Sequence, residues 1–454
     1  MSVESRPTAE RDDTHGSPKR KSVPVTPVIA GSLIAGAVIA LAFTMVVFPG
    51  ATEAVITGSI LLAFGLGWAM IAVLSTRLTG RPQRWAAVPA AVMTVTGLGL
   101  ITFSPGNAVL TSATWVWPPA LLALVVWMCF SMRRALAGRG RWLLTPVFLV
   151  LAIASIGATT QNVILLSDKN TYSAAGTSYE VAGHRLHLDC RGQGGPTVVL
   201  FSGLGEFSAS WARITDQVST TTRICAYDRA GQGWSQDVAS PQDGVTAARD
   251  LHLLLAEAGE AGPYVLVGHS IGVPYALTYA AQYPGQVAGM VLLDSSSPEQ
   301  LTSIPSYAGQ YAMMRRGLAL LPTFARLGLS RVFAASHLPG EAGDRIRAMT
   351  STPHALRNGR DEVSTIPEVF EQAQALTTLN GRPLAVLTAS ETLGTPGWAA
   401  AQDKLAALSA NHLHRDVDST HAGLVEDEHG STAAVQAITE VVTAVRTGSP
   451  VATS

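Results

Sequence analysis

Charge is scarce in this sequence. Only 14% of its 454 residues are Asp, Glu, Lys or Arg, and 31 basic side chains offset 32 acidic ones to a formal net charge of -1. A chain this near neutrality, without a long acidic or basic block, lacks the electrostatic footprint of a nucleic-acid binder, so no nucleic-acid partner is expected. Cysteine is scarce too, at three residues, and no Cys and His spacing has the form of a metal site. No metal and no cofactor are expected. The shortage of charge is uneven along the chain. Residues 1–23 are a mixed-charge, Pro- and Ser-containing stretch, expected to be a disordered cytoplasmic tail; the rest of the first third carries almost no charge outside short basic clusters.

Five apolar runs fill that third: residues 28–48, 54–76, 85–103, 115–132 and 142–166. Each approaches the roughly 20 residues needed to cross a bilayer core, and none has an ionisable Asp, Glu, Lys or Arg in its interior. Buried helices of a soluble protein would show a polar face, and these runs have none. Residues 24–166 are therefore expected to be a five-span transmembrane region, with Trp68, Trp85, Trp115, Trp117 and Trp142 mostly near span ends as interfacial aromatics. A transporter or proton relay needs charged groups at mid-membrane, so the spans read as an anchor.

The loops orient the spans. Lys19, Arg20 and Lys21 precede the first; Arg77, Arg81 and Arg84 join the second to the third; Arg133, Arg134, Arg139 and Arg141 join the fourth to the fifth. The remaining two loops have neither Lys nor Arg. By the positive-inside rule the N-terminus is cytoplasmic and everything after an odd number of spans is extracytoplasmic. The long N-terminal tail argues against a cleaved signal peptide, and the later spans keep their orientation in either case.

Beyond a polar linker (167–177), residues 178–447 alternate apolar, β-branched strands with amphipathic helices, the pattern of a mostly parallel α/β sheet buried on both faces. The rhythm breaks over about 295–380, which is rich in helix formers and reads as a helical lid. Residues 448–454 read as a second disordered tail. Inside the sheet region, the run Tyr264-Val265-Leu266-Val267 delivers Gly268-His269-Ser270-Ile271-Gly272, and a helix follows. Strand, tight turn and helix form the setting in which a serine is held on a strained bend with its hydroxyl exposed.

Four ordered stretches resemble the α/β-hydrolase fold family: Ser202-Gly203-Leu204-Gly205, the loop from Tyr227 through Asp228 and Arg229 to Ser235, Gly-His-Ser-Ile-Gly, and a late His421. The resemblance covers about 178–447. It implies an α/β-hydrolase fold with helices on both faces of the sheet and a helical lid, preceded here by the all-α transmembrane region. It also implies Ser270 as nucleophile, His421 as base, and the backbone amides of Leu204 and Ile271 as oxyanion donors. The acid is open between two positions. Relatives usually carry an aspartate after the strand at 383–389, where this chain has Glu391; others carry it at the end of the preceding strand, where Asp294 stands. Asp294 is favoured over Glu391, although Asp294 could also serve only to cap a turn. Ser270 in place of an aspartate nucleophile disfavours a dehalogenase. Asp228 and Arg229 are expected to hold their loop rather than to act on substrate. On strands this fold could bring together, Cys190 and Cys225 are a candidate disulfide in an oxidising exterior.

The expected function is a membrane-anchored serine hydrolase acting on a small-molecule or lipid-like ester, or less readily an amide, outside the cytoplasmic membrane. The alternative is a catalytically inactive, hydrolase-like ligand-binding or signalling membrane protein, motivated by the missing aspartate near Glu391 and by Ser202 where relatives usually have histidine.

Overall fold

The computed structural model describes residues 23–451. The expected N-terminal tail, with Lys19, Arg20 and Lys21, lies outside them apart from Val23, as do residues 452–454.

Four helical segments are long and apolar enough to cross a bilayer: Val25–Val47, Glu53–Leu78, Arg84–Phe103 and Arg139–Thr171. The expected fourth run, 115–132, falls in the helix Trp117–Ala135, which is long and apolar enough only together with the preceding short helix Asn107–Ala113, bent from it by 46°. Pro118 has no N–H to give the carbonyl of Thr114, so the helical ladder breaks there. Asn162 of the last apolar helix donates to that stranded carbonyl instead, at 2.7 Å, and Ser155 donates to the Pro118 carbonyl at 2.6 Å. The second and third of these apolar helices touch at Gly58 and Gly97, where a Cβ on either glycine would stand 2.7 Å from the other's carbonyl oxygen. Small residues permit that close backbone approach.

The linker is shorter than expected. The last apolar helix continues to Thr171, carrying Asp168 out of the apolar run to an ion pair with Arg331 of the lid. The first strand then begins at Thr177. At the other end, Val451 is buried and donates its N–H to Asn411 Oδ1 at 2.8 Å, so this residue of the expected tail packs on the domain.

Eight strands form one sheet: β1 Thr177–Val181, β2 His184–Arg191, β3 Val198–Phe201, β4 Ile224–Tyr227, β5 Tyr264–His269, β6 Val287–Leu293, β7 Leu384–Ala389 and β8 His412–Val417. Their spatial order is β1-β2-β4-β3-β5-β6-β7-β8. β1/β2 and β2/β4 are antiparallel, and every other neighbouring pair is parallel. Alternate residues of a strand face opposite sides. Val199, Phe201 and Leu266 accordingly enter one core under the helices Gly244–Glu257, Gly272–Gln282 and Pro353–Ala373, whereas Val198, Leu200, Val265 and Val267 enter another under Ala212–Val218 and Glu428–Thr447. Burial on both faces explains why the central strands are uninterrupted apolar runs. It also fixes their ends, and the functional residues sit at those ends.

Between β6 and β7 the lid consists of the helices Gln300–Ser303, Tyr307–Arg326, Gly340–Thr350 and Pro353–Ala373 with a short 3-10 turn, Leu329–Val332. The long helix Tyr307–Arg326 lies against the apolar N-terminal helices as well as the sheet-bearing domain. Arg326 and Glu53, both buried, form an ion pair there, and Arg326 Nη2 also donates to Asn107 Oδ1 at 3.0 Å. Thr57 and Thr323 share a hydrogen bond of 2.8 Å, and Arg316 donates to the Met45 carbonyl at 3.0 Å. The lid is thus fastened to the apolar helices, a connection that sequence reading did not anticipate.

Candidate active site

Ser270 stands where β5 turns into the helix Gly272–Gln282, with φ at 53°. A non-glycine residue in this left-handed region is strained, and such strain persists only where the surroundings impose it. They do so on both sides. The Ser270 N–H donates to the Leu293 carbonyl, and the Ser270 carbonyl accepts from Ser296, each at 3.1 Å, which ties the bend to the end of β6. At Gly272 a Cβ would come within 2.1 Å of the Phe201 carbonyl oxygen, so only glycine lets the helix start so close to β3. The result is a half-buried serine at the carboxyl edge of the sheet, at the N-terminal end of a helix.

Asp294 follows β6 directly and is fully buried, its own φ at 39°. Its Oδ2 accepts from His421 Nδ1 at 2.6 Å; its Oδ1 accepts from Thr392 Oγ1 at 2.8 Å and Trp398 Nε1 at 2.9 Å. Burial opposes ionisation of this carboxyl, but the hydrogen bond and charge of His421, with the Thr392 and Trp398 donors, outweigh it and hold Asp294 below the usual carboxylate range. Glu391 is used differently. Its Oε2 accepts the backbone N–H of His421 at 2.7 Å and therefore anchors the loop, not the imidazole. Of the two carboxylates left open by the sequence, Asp294 is the one on the ring.

His421 sits in the loop after β8, its side chain 34% exposed. Its carbonyl contacts His269 Nε2 at 2.9 Å, and the two imidazoles lie 4.6 Å apart. Since His269 immediately precedes Ser270, the structure brings the serine, His421 and Asp294 to one end of the sheet. No acceptor among the described residues takes the backbone N–H of Leu204 or of Ile271, which leaves both amides free at the β3 exit turn and the bend.

A second acid–imidazole pair supports this turn and was missed by sequence reasoning. Glu206 Oε1 lies 2.7 Å from His269 Nδ1, and Glu206 Oε2 accepts the Gly203 N–H at 2.6 Å. Burial opposes charge on both groups; each partner's charge outweighs it, lowering the Glu206 pKa and raising that of His269. The only hint in the sequence was an acid two residues beyond Leu204. Arg229 donates to the Ser202 carbonyl at 2.7 Å, pairs with Glu362 of the lid and lies 4.4 Å from the centre of the Tyr275 ring. Asp228 accepts from the Ser208 and Trp234 N–H groups at 2.7 and 3.0 Å. Both residues hold the loop and the turn after β3 in position.

Cys190 and Cys225 are partners across β2 and β4 and are joined by a disulfide. With Glu260 they are the one cluster among the described residues spaced like metal ligands, but the two sulfurs are bonded to each other and Glu260 pairs with Arg223.

This chain has the α/β-hydrolase fold. The family model described as alpha/beta hydrolase fold matches residues 196–362. Among solved structures, the Cif epoxide hydrolase from Acinetobacter nosocomialis superposes with a TM-score of 0.51 at 16% identity, covering 62% of this chain and 95% of that one. At that identity the likeness speaks for the fold. Among curated proteins, an uncharacterized protein of Schizosaccharomyces pombe is 33% identical over 134 residues, 30% of this chain and 24% of that protein. The uncharacterized protein YbdG of Bacillus subtilis is 28% identical over 148 residues, 32% of this chain and 45% of its own length. The matches thus span less than half of each of these relatives.

Proposed function

We propose that this protein is a membrane-anchored serine hydrolase that cleaves a carboxylic ester by a Ser270–His421–Asp294 triad. The observation that carries the reading is the 2.6 Å hydrogen bond from His421 to a fully buried, ionised Asp294 beside a serine on a strained strand-to-helix bend. A serine hydroxyl becomes an effective nucleophile only when a base removes its proton. His421 takes that proton from Ser270 Oγ as the oxygen attacks the acyl carbonyl. Asp294 holds the ring with Nδ1–H toward itself, leaving Nε2 for the proton, and stabilises the imidazolium that forms. The oxyanion of the tetrahedral intermediate lies against the amides of Leu204 and Ile271, at the positive end of the helix Gly272–Gln282. Collapse expels the alcohol with the proton from His421, and His421 then activates water to release the acid from Ser270.

The apolar helices support residence in a lipid bilayer, and the loop arginines support an extracytoplasmic hydrolase domain. The disulfide suits that side of the membrane. The non-catalytic alternative was motivated by the missing aspartate near Glu391 and by Ser202; the hydrogen bond between His421 and Asp294 weighs against the first of these motives. Turnover of p-nitrophenyl butyrate by the full-length protein, lost on Ser270→Ala and on His421→Gln, is the expected result. Equal turnover by Ser270→Ala would refute the assignment.

A further inference from the structure

A cavity of about 750 Å³ lies between the hydrolase domain and the apolar helices. Its walls come from the short helix Asn107–Ala113, the outer end of Arg139–Thr171, residues 205–207 of the oxyanion turn, the loop 232–237 and the lid. The size is that of a small-molecule site. Residues 205–207 follow Leu204 directly, and Glu206 reaches from this wall to Gly203 and His269. One wall of the cavity is therefore the segment that follows Leu204 directly in the chain and is tied through Glu206 to His269, the neighbour of Ser270.

The wall chemistry selects the occupant. Charge inside is already matched: Asp168 pairs with Arg331, Asp237 with Arg357, Glu206 with His269, and Arg326 with Glu53. Lys169 and Arg185 are exposed. No buried charge is left to select an ion. Neutral hydrogen-bonding groups remain, above all Gln161, whose side chain is 1% exposed and whose Nε2 has no partner while its Oε1 is taken by Arg331. A buried amide donor without an acceptor is costly, and a ligand oxygen would relieve it. Trp234, packed 5.3 Å from Phe207, adds an aromatic surface that is not closed off from solvent. Amides and hydroxyls beside an aromatic face suit a ligand rich in hydroxyls and C–H edges. The cavity is also where the last membrane helix leaves its apolar run, the level at which lipid headgroups lie.

We propose that this cavity binds the neutral, polyhydroxylated headgroup of a bilayer amphiphile, such as a sugar or polyol ester, whose acyl ester is the substrate of Ser270. The substrate role rests on the serine-hydrolase reading; the headgroup site is testable without it. The membrane helices then form a wall of the substrate site in addition to anchoring it.

The test uses full-length Ser270→Ala protein in phosphatidylcholine nanodiscs, so that bound ester is not consumed. Binding of sucrose monolaurate, lauroylcholine and lauryl phosphate is measured by titration calorimetry, with empty nanodiscs subtracted. Sucrose monolaurate is expected to bind at least tenfold tighter than either charged probe. Ala355→Trp, which fills the cavity from the lid, and Gln161→Leu, which removes the free donor from the membrane helix, should each erase that preference. Equal binding of all three, preference for lauryl phosphate, or a preference that both variants leave intact would overturn the proposal. Turnover of p-nitrophenyl butyrate by wild type reports separately on the hydrolase reading. Its absence would remove the chemistry at Ser270 without altering the headgroup result, whereas turnover without headgroup preference would remove only the cavity assignment.

Discussion

Replacing Asp294 with asparagine tests the triad where the sequence was ambiguous. The carboxylate receives three donors at 2.6 to 2.9 Å from His421, Thr392 and Trp398. An asparagine fits the same space, but its NH2 group cannot accept from His421 Nδ1–H, so the ring is driven to the tautomer that presents Nε2–H to the serine. In serine hydrolases with this arrangement the analogous change lowers kcat by about 10⁴-fold, or about 5.4 kcal/mol of transition-state stabilisation. Glu391→Gln keeps an oxygen acceptor for the backbone N–H of His421 and is expected to lower kcat by no more than about fivefold, close to 1 kcal/mol. Both are read from kcat on p-nitrophenyl butyrate, with KM near wild type. A larger loss in Glu391→Gln than in Asp294→Asn would refute the reasoning, because it would make the exposed carboxylate the partner of the base.

Other perturbations follow from the same contacts. The Glu206 and His269 pair gives stability a pH signature. His269 has a raised pKa, so its contribution is full below the ordinary histidine value and fades as pH rises through the raised one; Glu206 has a lowered pKa, so its contribution is full above the ordinary carboxylate value and fades as pH falls through the lowered one. The melting-temperature gap between wild type and Glu206→Gln should be widest between about pH 4.5 and 6.5 and narrow on both sides; a gap independent of pH would contradict the ion pair. Glu53→Ala leaves Arg326 buried and unpaired, a loss of about 3–5 kcal/mol, and should expose the lid to limited proteolysis well before the sheet. Undiminished protease resistance would argue against the lid's attachment to the apolar helices. The disulfide closes a sequence separation of 35 residues, for which chain entropy gives about 4 kcal/mol. The double change Cys190→Ser and Cys225→Ser should lower the melting temperature by several degrees, and an unchanged value would count against the bond.

The fold was legible because its signals are local. Uninterrupted β-branched runs such as 264–267 can be buried only on both faces, and helix patterns between them imply parallel crossovers. The setting of Ser270 was legible for the same reason, since strand, glycines and helix lie within one short stretch. The acid was not. Asp294 and Glu391 both follow strands, and only the pairing of β6 with β7 and the path of the loop bearing His421 put one carboxylate on the ring and the other on the backbone. The Glu53–Arg326 pair joins residues 273 apart, and nothing in either neighbourhood announces the other. The short helix Asn107–Ala113 and its bend before Pro118 went unread because they fall in the loop between the third and fourth apolar runs, where hydropathy carries no signal. The contacts of the apolar helices with the lid went unread because Glu53, Asn107 and Asp168 lie outside the apolar runs, while Thr57 and Gln161 inside them are neutral and leave the hydropathy pattern unbroken.

Covalent labelling tests the central claim most directly. The full-length protein is treated with a fluorophosphonate, which phosphonylates an activated serine, and the modified residue is located by peptide mass spectrometry. The account predicts one adduct on Ser270, absent from Ser270→Ala and strongly slowed in Asp294→Asn. A folded wild-type protein that acquires no adduct, or acquires it at another serine, would contradict it.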